Sequence, residues 1–260
     1  MANLRYDFSG KRVLVTGGSR GIGYAVAKRF AETGANVSVM SSGSGVSDAA
    51  ERLSHATGRA VGAIRCDISN GEAVRESLAR FDRLDVLINN AGLERITPLD
   101  DPDVEVENTF RRIVDINVIG TFLVTRHAVS KMPAGGRIIL TGSIWSRTAV
   151  PEFSAYCATK HANLGFMRSI AHELGPRSIT VNAVCPGWVR TDASMLSLSR
   201  MAAASARDES DLLDEIVSAQ VLYGLMEPDD MPDVYLFLAS EEARNITGQA
   251  YMLDRGEVMA

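Results

Sequence analysis

The chain has 260 residues, of which 46% are hydrophobic and 23% charged, and its formal net charge is −5. This composition is typical of a globular chain with a large core, and the acidic balance argues against a broad nucleic-acid or acidic-membrane surface. No run approaches the roughly eighteen apolar residues of a membrane span, and the first eight residues have no apolar signal core. We therefore expect a cytoplasmic protein that binds neither nucleic acid nor membrane.

Cysteine and histidine give no sign of a metal site. The three cysteines, Cys66, Cys157 and Cys185, are too few and too scattered for a disulfide framework or a zinc cluster. The four histidines show no HExxH spacing. We expect no bound metal.

Apolar runs with β-strand character alternate with helical patterns along the chain. Strands are predicted at residues 11–16, 36–40, 60–66, 84–89, 137–141, 178–184 and 248–253. Helices are predicted at residues 21–34, 48–57, 71–81, 105–131 and 155–174. This alternation predicts an α/β fold with a single doubly wound parallel sheet (Rossmann-type) and helices on both faces.

No linker rich in proline or serine divides the chain, and no fixed-period repeat is present. We therefore predict one domain spanning residues 1–260. Residues 189–226 form a helical excursion that is rich in Ala, Met and Ser and longer than a crossover requires. Long excursions often act as lids or binding loops, although simple packing helices explain the pattern equally well.

A glycine-rich stretch, residues 16–23 (TGGSRGIG), lies between the first predicted strand and the first predicted helix. Glycines permit close backbone approach, and a helix N-terminus offers free N–H groups to a pyrophosphate. The spacing is GxxxGxG rather than the GxGxxG of the common dinucleotide fingerprint. Its position after the first strand favours a dinucleotide site over a simple turn.

The end of the second predicted strand indicates which dinucleotide binds. An NAD site often carries an acid there to hold the ribose hydroxyls, but this chain has Ser41 and Ser42, and the first acid is Asp48. Arg20 in the glycine loop is suited to a 2′-phosphate, with the two serines as hydrogen-bond partners. We therefore favour NADP over NAD; a solvated loop cation is the alternative interpretation of Arg20.

Tyr156 and Lys160 are four residues apart and share one face of a predicted helix, with Ser143 thirteen residues upstream. Moving the pKa of a tyrosine from about 10 to about 7 requires roughly 4 kcal/mol. One cation about 4 Å away supplies about that much at an effective dielectric near 20. The spacing therefore allows a tuned acid/base, whereas an ordinary surface pair would be the default for these two residues alone.

These patterns together resemble the short-chain dehydrogenase/reductase family over essentially the whole chain. The family's TGxxxGIG, NNAG and PGxxxT motifs match residues 16–23, 89–92 and 186–191, and its asparagine, serine and YxxxK pair match Asn117, Ser143, Tyr156 and Lys160. One departure lies near the C-terminus, where the family's aspartate and two glycines are replaced by Asp254-Arg255-Gly256.

The resemblance implies hydride transfer between a nicotinamide cofactor and a small or medium alcohol or ketone. Tyr156 would exchange the proton with the reacting oxygen, Lys160 would lower its pKa and hold the cofactor ribose, and Ser143 would donate a hydrogen bond to that oxygen. Asn117 would orient a water that links Lys160 to solvent. The alternatives are a buried helix hydrogen bond for Asn117 and a strand-end cap for Ser143.

The resemblance also implies a set of cofactor contacts, in which Asp67 meets the adenine and Thr191 and the backbone near Val189 seat the carboxamide; by itself, Asp67 is equally explained as a cap at the start of a loop. The expected cofactor-binding residues are Gly17, Ser19, Arg20, Gly21, Ile22, Gly23, Ser41, Ser42, Asp67, Ile68, Asn89, Ala91, Gly92, Tyr156, Lys160, Pro186, Gly187, Val189 and Thr191.

Four residues fall in stretches that line the substrate pocket in this family. Trp145, Phe153 and Trp188 suggest an apolar wall, and Glu94 a polar handle for hydroxyl or amine groups; Glu94 pairing with a nearby arginine explains it equally well. Reduction of 3-oxoacyl thioesters, oxidation of sugars or polyols, and oxidation of cyclic alcohols all remain open. A cofactor-binding regulatory or scaffold protein is the alternative class, against which the complete set of four catalytic residues argues.

Assembly is expected from the resemblance alone. It implies a homotetramer built through the helices at 105–131 and 154–174 and the C-terminal strand. The apolar faces of these helices are also explained by burial in the core.

Overall fold

The computed structural model describes residues 6–259, which form one seven-stranded sheet in the order β3-β2-β1-β4-β5-β6-β7. Every neighbouring pair of strands runs parallel. The strands are β1 (Arg12–Thr16), β2 (Asn36–Ser41), β3 (Gly62–Arg65), β4 (Val86–Asn89), β5 (Arg137–Thr141), β6 (Thr180–Pro186) and β7 (Ala250–Leu253). The predicted α/β, doubly wound fold class is confirmed.

Helices cover both faces of the sheet. They are α1 (Gly21–Glu32), α2 (Val46–Thr57), α3 (Gly71–Ala79), α4 (Val104–Val114), α5 (Thr121–Val129), α6 (Ser154–Leu174), α7 (Asp192–Ala204), α8 (Glu209–Ser218) and α9 (Pro232–Ala239). Along β1, Val13 and Val15 pack into the core beneath α1, α2 and α9, whereas Leu14 packs beneath α3, α5 and α6. Because side chains alternate across a strand, burial on both faces produces the continuous apolar runs seen in the sequence.

The helix predicted at 105–131 is interrupted. A π-helical segment, Asp115–Gly120, separates α4 from α5. Within it, the backbone oxygen of Asn117 accepts hydrogen bonds from the Thr121 hydroxyl at 2.8 Å and from the Asn163 amide at 3.1 Å. A Cβ added at Gly120 would lie 2.6 Å from Cγ1 of Ile68, so this glycine allows close approach of the residue after Asp67.

Two of the strands that begin later than predicted do so for local backbone reasons. Strand β6 begins at Thr180 because Ser178 has a left-handed φ of 56°, and β7 begins at Ala250 after a turn in which Gly248 has a φ of 71°. Helix α9 was not predicted. It begins with Pro232, a residue that fits the first turn of a helix.

The excursion at 189–226 contains helices α7 and α8, and its two ends meet. Val189 and Met226 form a parallel bridge, and the Arg190 N–H donates to the Met226 oxygen at 2.8 Å. The segment therefore leaves the sheet after β6 and returns to the same point. Within residues 6–259, no helix is both long and apolar enough to cross a membrane.

Candidate active site

A cleft of about 670 Å³ lies at the carboxyl ends of the strands. It is centred where the strand order reverses between β1 and β4, the position at which doubly wound sheets bind ligands. All of the predicted site residues line this cleft except four: Gly23, Asn89, Asn117 and Phe153.

The glycine loop forms a close-packed floor at one end of the cleft. Gly17 has a φ of 67°, and a Cβ there would lie 2.8 Å from Cα of Ala91. A Cβ at Gly23 would lie 2.4 Å from the Gly17 oxygen, so Gly23 packs α1 against the loop rather than facing the cleft. Helix α1 begins at Gly21, and the preceding Arg20 makes no side-chain cap. The first N–H groups of α1 are thus directed at the cleft, which fits a pyrophosphate.

Asn90, a residue not predicted for the site, joins three strand ends. Its side-chain amide donates to the Thr16 oxygen at 3.1 Å, and its side-chain oxygen accepts from the Thr141 hydroxyl at 3.2 Å. The NNAG motif at residues 89–92 was the sequence signal that could have identified Asn90. Asn89, which was predicted, instead points into the core and donates to the Thr125 hydroxyl at 2.8 Å.

Tyr156 and Lys160 lie on the first turns of α6 and face the cleft. The Lys160 side chain is nearly inaccessible; its Nζ donates to the Thr141 oxygen at 2.7 Å and lies 5.4 Å from the centroid of the Tyr156 ring. Burial lowers the pKa of Lys160 from the usual 10.5 to about 8. The ammonium is therefore ionised at neutral pH but held in an environment that disfavours its charge.

The pKa of Tyr156 is opposite in direction to the expectation from the sequence. Burial and the carboxylate of Glu94 raise the pKa of Tyr156 well above its usual 10, and the Ser143 hydroxyl lowers it only in part. One cation about 4 Å away, taken before any cost of desolvation, lowers the pKa of a tyrosine, whereas burial and Glu94 act in the opposite direction. The phenol therefore favours its protonated form in this arrangement.

Ser143 makes a capping contact and Asn117 makes buried hydrogen bonds, as their alternative structural roles predict. Both residues also lie near Tyr156 and Lys160. The Ser143 hydroxyl accepts from the Trp145 N–H at 3.2 Å, which leaves its own proton free to be donated. The side-chain amide of Asn117 donates to the Leu93 oxygen at 2.9 Å. A Cβ at Gly92 would lie 3.4 Å from Oδ1 of Asn117 and 3.8 Å from Nζ of Lys160, so these two side chains are neighbours.

Aromatic side chains form the wall beside Tyr156. The Trp145 ring packs edge-on against Tyr156 at a centroid distance of 5.9 Å and against Trp188 at 6.1 Å. Phe153 lies 5.1 Å from the same tryptophan, is 1% exposed and does not reach the cleft. Trp145 and Trp188 therefore form the apolar surface, and Phe153 supports it from behind.

Glu94 projects into the cleft from the loop after β4. Burial raises its pKa, whereas the Ser197 hydroxyl, Lys160 and Arg95 lower it. Nη1 of Arg95 donates to the backbone oxygen of Glu94 at 2.6 Å, but no salt bridge to the Glu94 carboxylate occurs within residues 6–259. Ser197 belongs to α7 and was not predicted. Its proximity to Glu94 brings the excursion against the catalytic end of the cleft.

The far end of the cleft is polar. The Ser19 hydroxyl donates to the Ser41 hydroxyl at 3.2 Å, which joins the glycine loop to the end of β2. Two charged residues of α2, Asp48 and Arg52, also line this end, and Arg52 was not predicted. The residues present therefore fit a nicotinamide dinucleotide, with its phosphates at the glycine loop and its adenosine near the ends of β2 and β3.

Comparison with known proteins agrees with this geometry. A family model described as Enoyl-(Acyl carrier protein) reductase matches residues 17–257. A solved short-chain dehydrogenase from Burkholderia cenocepacia in complex with NADP is similar at 34% identity, with a TM-score of 0.82 and coverage of 96% of this chain and 98% of that one.

Two other similar proteins have different described functions. A 3-oxoacyl-[acyl-carrier protein] reductase with bound NAD from Brucella melitensis is 31% identical, with a TM-score of 0.84 and coverage of 99% and 95%. A cyclic-di-GMP-binding biofilm dispersal mediator protein of Escherichia coli is 34% identical over 251 residues, which cover 95% of this chain and 97% of the relative. The chain belongs to the short-chain dehydrogenase/reductase family and is an NAD(P)-dependent oxidoreductase that acts on CH–OH and C=O groups.

Proposed function

We propose that this protein reduces the carbonyl group of a small or medium ketone, with Tyr156 as the proton donor. The observation that supports this role is the convergence of Tyr156, Lys160 and Ser143 on the catalytic end of one cleft, beside a loop suited to pyrophosphate. The bound nicotinamide supplies the hydride.

The environment of Tyr156 keeps the phenol in the protonated form that reduction requires. A raised pKa keeps the phenol protonated at neutral pH, and reduction requires a proton on the phenol at the start of the reaction. Ser143 has a free hydroxyl proton to donate to the same reacting oxygen. Lys160 holds the cofactor ribose and offsets negative charge on Tyr156 as the proton leaves, and Asn117 orders the water that returns a proton to Lys160.

NADP is proposed as the preferred cofactor. Support comes from Arg20, Ser41 and Ser42 at one end of the cleft, to which Arg52 adds a second cation. Arg20→Ala should weaken NADPH binding more than NADH binding, because only NADPH carries the 2′-phosphate. Arg29→Ala on α1 is the matched control, since Arg29 pairs with Glu32 away from the cleft. Equal loss for the two cofactors in Arg20→Ala would refute this role.

The proposed substrate has an apolar body and a polar group. Trp145 and Trp188 would contact the apolar part, with Phe153 fixing the position of Trp145. Glu94 would accept a hydrogen bond from a hydroxyl or amine group. A 3-oxoacyl thioester reductase and a sugar or polyol dehydrogenase are the alternatives within the enzyme class.

The direct test is to follow the absorbance of NADPH with a panel of cyclic ketones, ketoses and 3-oxoacyl thioesters. We expect oxidation of NADPH with at least one class and none with Lys160→Met. The competing function, a cofactor-binding regulator without turnover, has one supporting observation in the similarity to the biofilm dispersal mediator. Tight NADPH binding with no oxidation across the panel would favour that regulator.

The remaining assignments concern the whole molecule. We propose a single cofactor-binding domain over residues 1–260, with residues 189–226 as the substrate loop. We also propose a cytoplasmic homotetramer formed through the region of α4, α5 and α6 and through β7. Partly exposed apolar residues on this region, including Phe110 and Phe122, are consistent with such contacts. Sedimentation of the protein as a monomer would reject the tetramer.

A further inference from the structure

The carboxylate of Asp67, which lines the cleft just after β3, is held by hydrogen bonds on both oxygens. Oδ1 accepts from the N–H and hydroxyl of Ser69 at 3.0 and 2.8 Å, and Oδ2 accepts from Nη2 of Arg112 at 2.6 Å. Nη1 of the same guanidinium donates to the Ser69 hydroxyl at 2.7 Å. Arg112 therefore binds both groups at once and fixes their relative orientation.

The contact between Arg112 and Asp67 joins two segments that are distant in the sequence. Asp67 follows β3, whereas Arg112 lies in the last turn of α4. Burial disfavours ionisation of Asp67, but the hydrogen bonds from Arg112 and Ser69 outweigh it and hold the pKa of the carboxyl below its ordinary value. Asp67 thus presents an ionised carboxylate, which can only accept hydrogen bonds, at the adenosine end of the cleft.

We propose that Arg112 is a positioning residue for cofactor recognition, which orients Oδ2 of Asp67 to accept a hydrogen bond from the exocyclic amino group of adenine. This role rests on the nicotinamide-dinucleotide binding proposed above. Without Arg112, Oδ2 loses its hydrogen bond, and only the two Ser69 contacts on Oδ1 still orient the carboxylate. The adenine amino group then loses its ordered acceptor.

The chain offers a matched control one residue away. Arg111 also lies on α4 and also forms a pair at 2.6 Å, but with Glu107 of the same helix, and neither residue lines the cleft. Both pairs are more than one third exposed, at 45% and 38% for Arg112 and Asp67 and at 71% and 64% for Arg111 and Glu107, so both should contribute little to folding stability. If Arg112→Gln changes cofactor selectivity and Arg111→Gln does not, the change is therefore due to the contact with Asp67.

The experiment compares NADPH with its reduced hypoxanthine analogue, in which an oxygen replaces the adenine amino group. Kd values are measured by quenching of tryptophan fluorescence. The wild-type protein should bind NADPH more tightly than the analogue. Arg112→Gln should weaken NADPH binding about three- to fivefold, the range that a half-exposed ion pair supports, and should leave binding of the analogue unchanged. Arg111→Gln should preserve the wild-type ratio.

A double-mutant cycle tests whether Arg112 acts through Asp67. In an Asp67→Ala background, Arg112→Gln should cause no further loss of NADPH affinity, because the group that it positions is already absent. Equal weakening of both dinucleotides by Arg112→Gln, or an unchanged ratio, would overturn this role while leaving the proposed function intact. Failure of the wild-type protein to bind NADPH would overturn both.

Discussion

Replacing Lys160 by methionine should remove turnover, and it should stabilise the fold at neutral pH but destabilise it at alkaline pH. Burial lowers the pKa of Lys160 in the folded protein from 10.5 to about 8. The charged form is therefore disfavoured on folding, and this cost is fully present below about pH 8 and fades as the pH rises towards the unfolded value. The shift corresponds to a cost of about 3 kcal/mol at pH 7 and about 1 kcal/mol at pH 10.

The substitution also removes the hydrogen bond from Nζ to the Thr141 oxygen. That bond contributes roughly 2 kcal/mol, and methionine matches lysine in helix propensity. The net change in the free energy of unfolding is then a gain of about 1 kcal/mol at pH 7 and a loss of about 1 kcal/mol at pH 10.

Urea denaturation of wild-type and Lys160→Met protein at both pH values measures this difference. Lys28→Met on α1 is the control, because that partly exposed lysine forms a long pair with Glu32 at 4.0 Å. The control should change stability by less than about 0.5 kcal/mol at either pH. A Lys160→Met effect of the same size at pH 7 and pH 10 would show that burial of the ammonium has no such cost.

Two further predictions concern the cleft. Glu94→Gln removes a carboxylate that raises the pKa of both Tyr156 and Lys160. The alkaline limb of the pH–rate profile for reduction should therefore move to lower pH. An unchanged alkaline limb would show that Glu94 does not affect the ionisation of these two residues. Gly120→Ala should lower the free energy of unfolding by about 1–2 kcal/mol and weaken cofactor binding, because the added methyl group meets Ile68. Gly165→Ala on α6, where a Cβ meets nothing within 4 Å, should instead stabilise by up to about 1 kcal/mol, and equal denaturation midpoints for the two variants would contradict this packing.

The fold could be predicted from the sequence because each strand buried on both faces leaves a continuous apolar run, and each crossover helix leaves a periodic one. Residues 16–23 identified the phosphate end of the cleft because the glycines and the following helix are local in sequence. The π segment at 115–120 could not be predicted in this way. It shifts backbone hydrogen bonds without changing the apolar pattern enough to reveal it.

The parts of the site that could not be predicted depend on contacts between distant segments. Arg112 reaches Asp67 and Ser69 only after α4 comes close to the end of β3, and Ser197 reaches Glu94 only after α7 folds back against the cleft. The pKa of Tyr156 was predicted in the wrong direction for the same reason. Helical spacing identifies a lysine on the same face of α6, but it does not reveal a carboxylate from another loop or the degree of burial.

The role of Tyr156 as proton donor is tested most directly by turnover and NADPH affinity in Tyr156→Phe, with Tyr6→Phe, which alters a tyrosine outside the cleft, as the control. Removing the phenolic proton while keeping the ring should lower kcat for ketone reduction by about 10²- to 10⁴-fold and leave the Kd for NADPH within about twofold. The control should keep both values. Turnover in Tyr156→Phe within about tenfold of the wild-type rate would contradict proton donation by this residue.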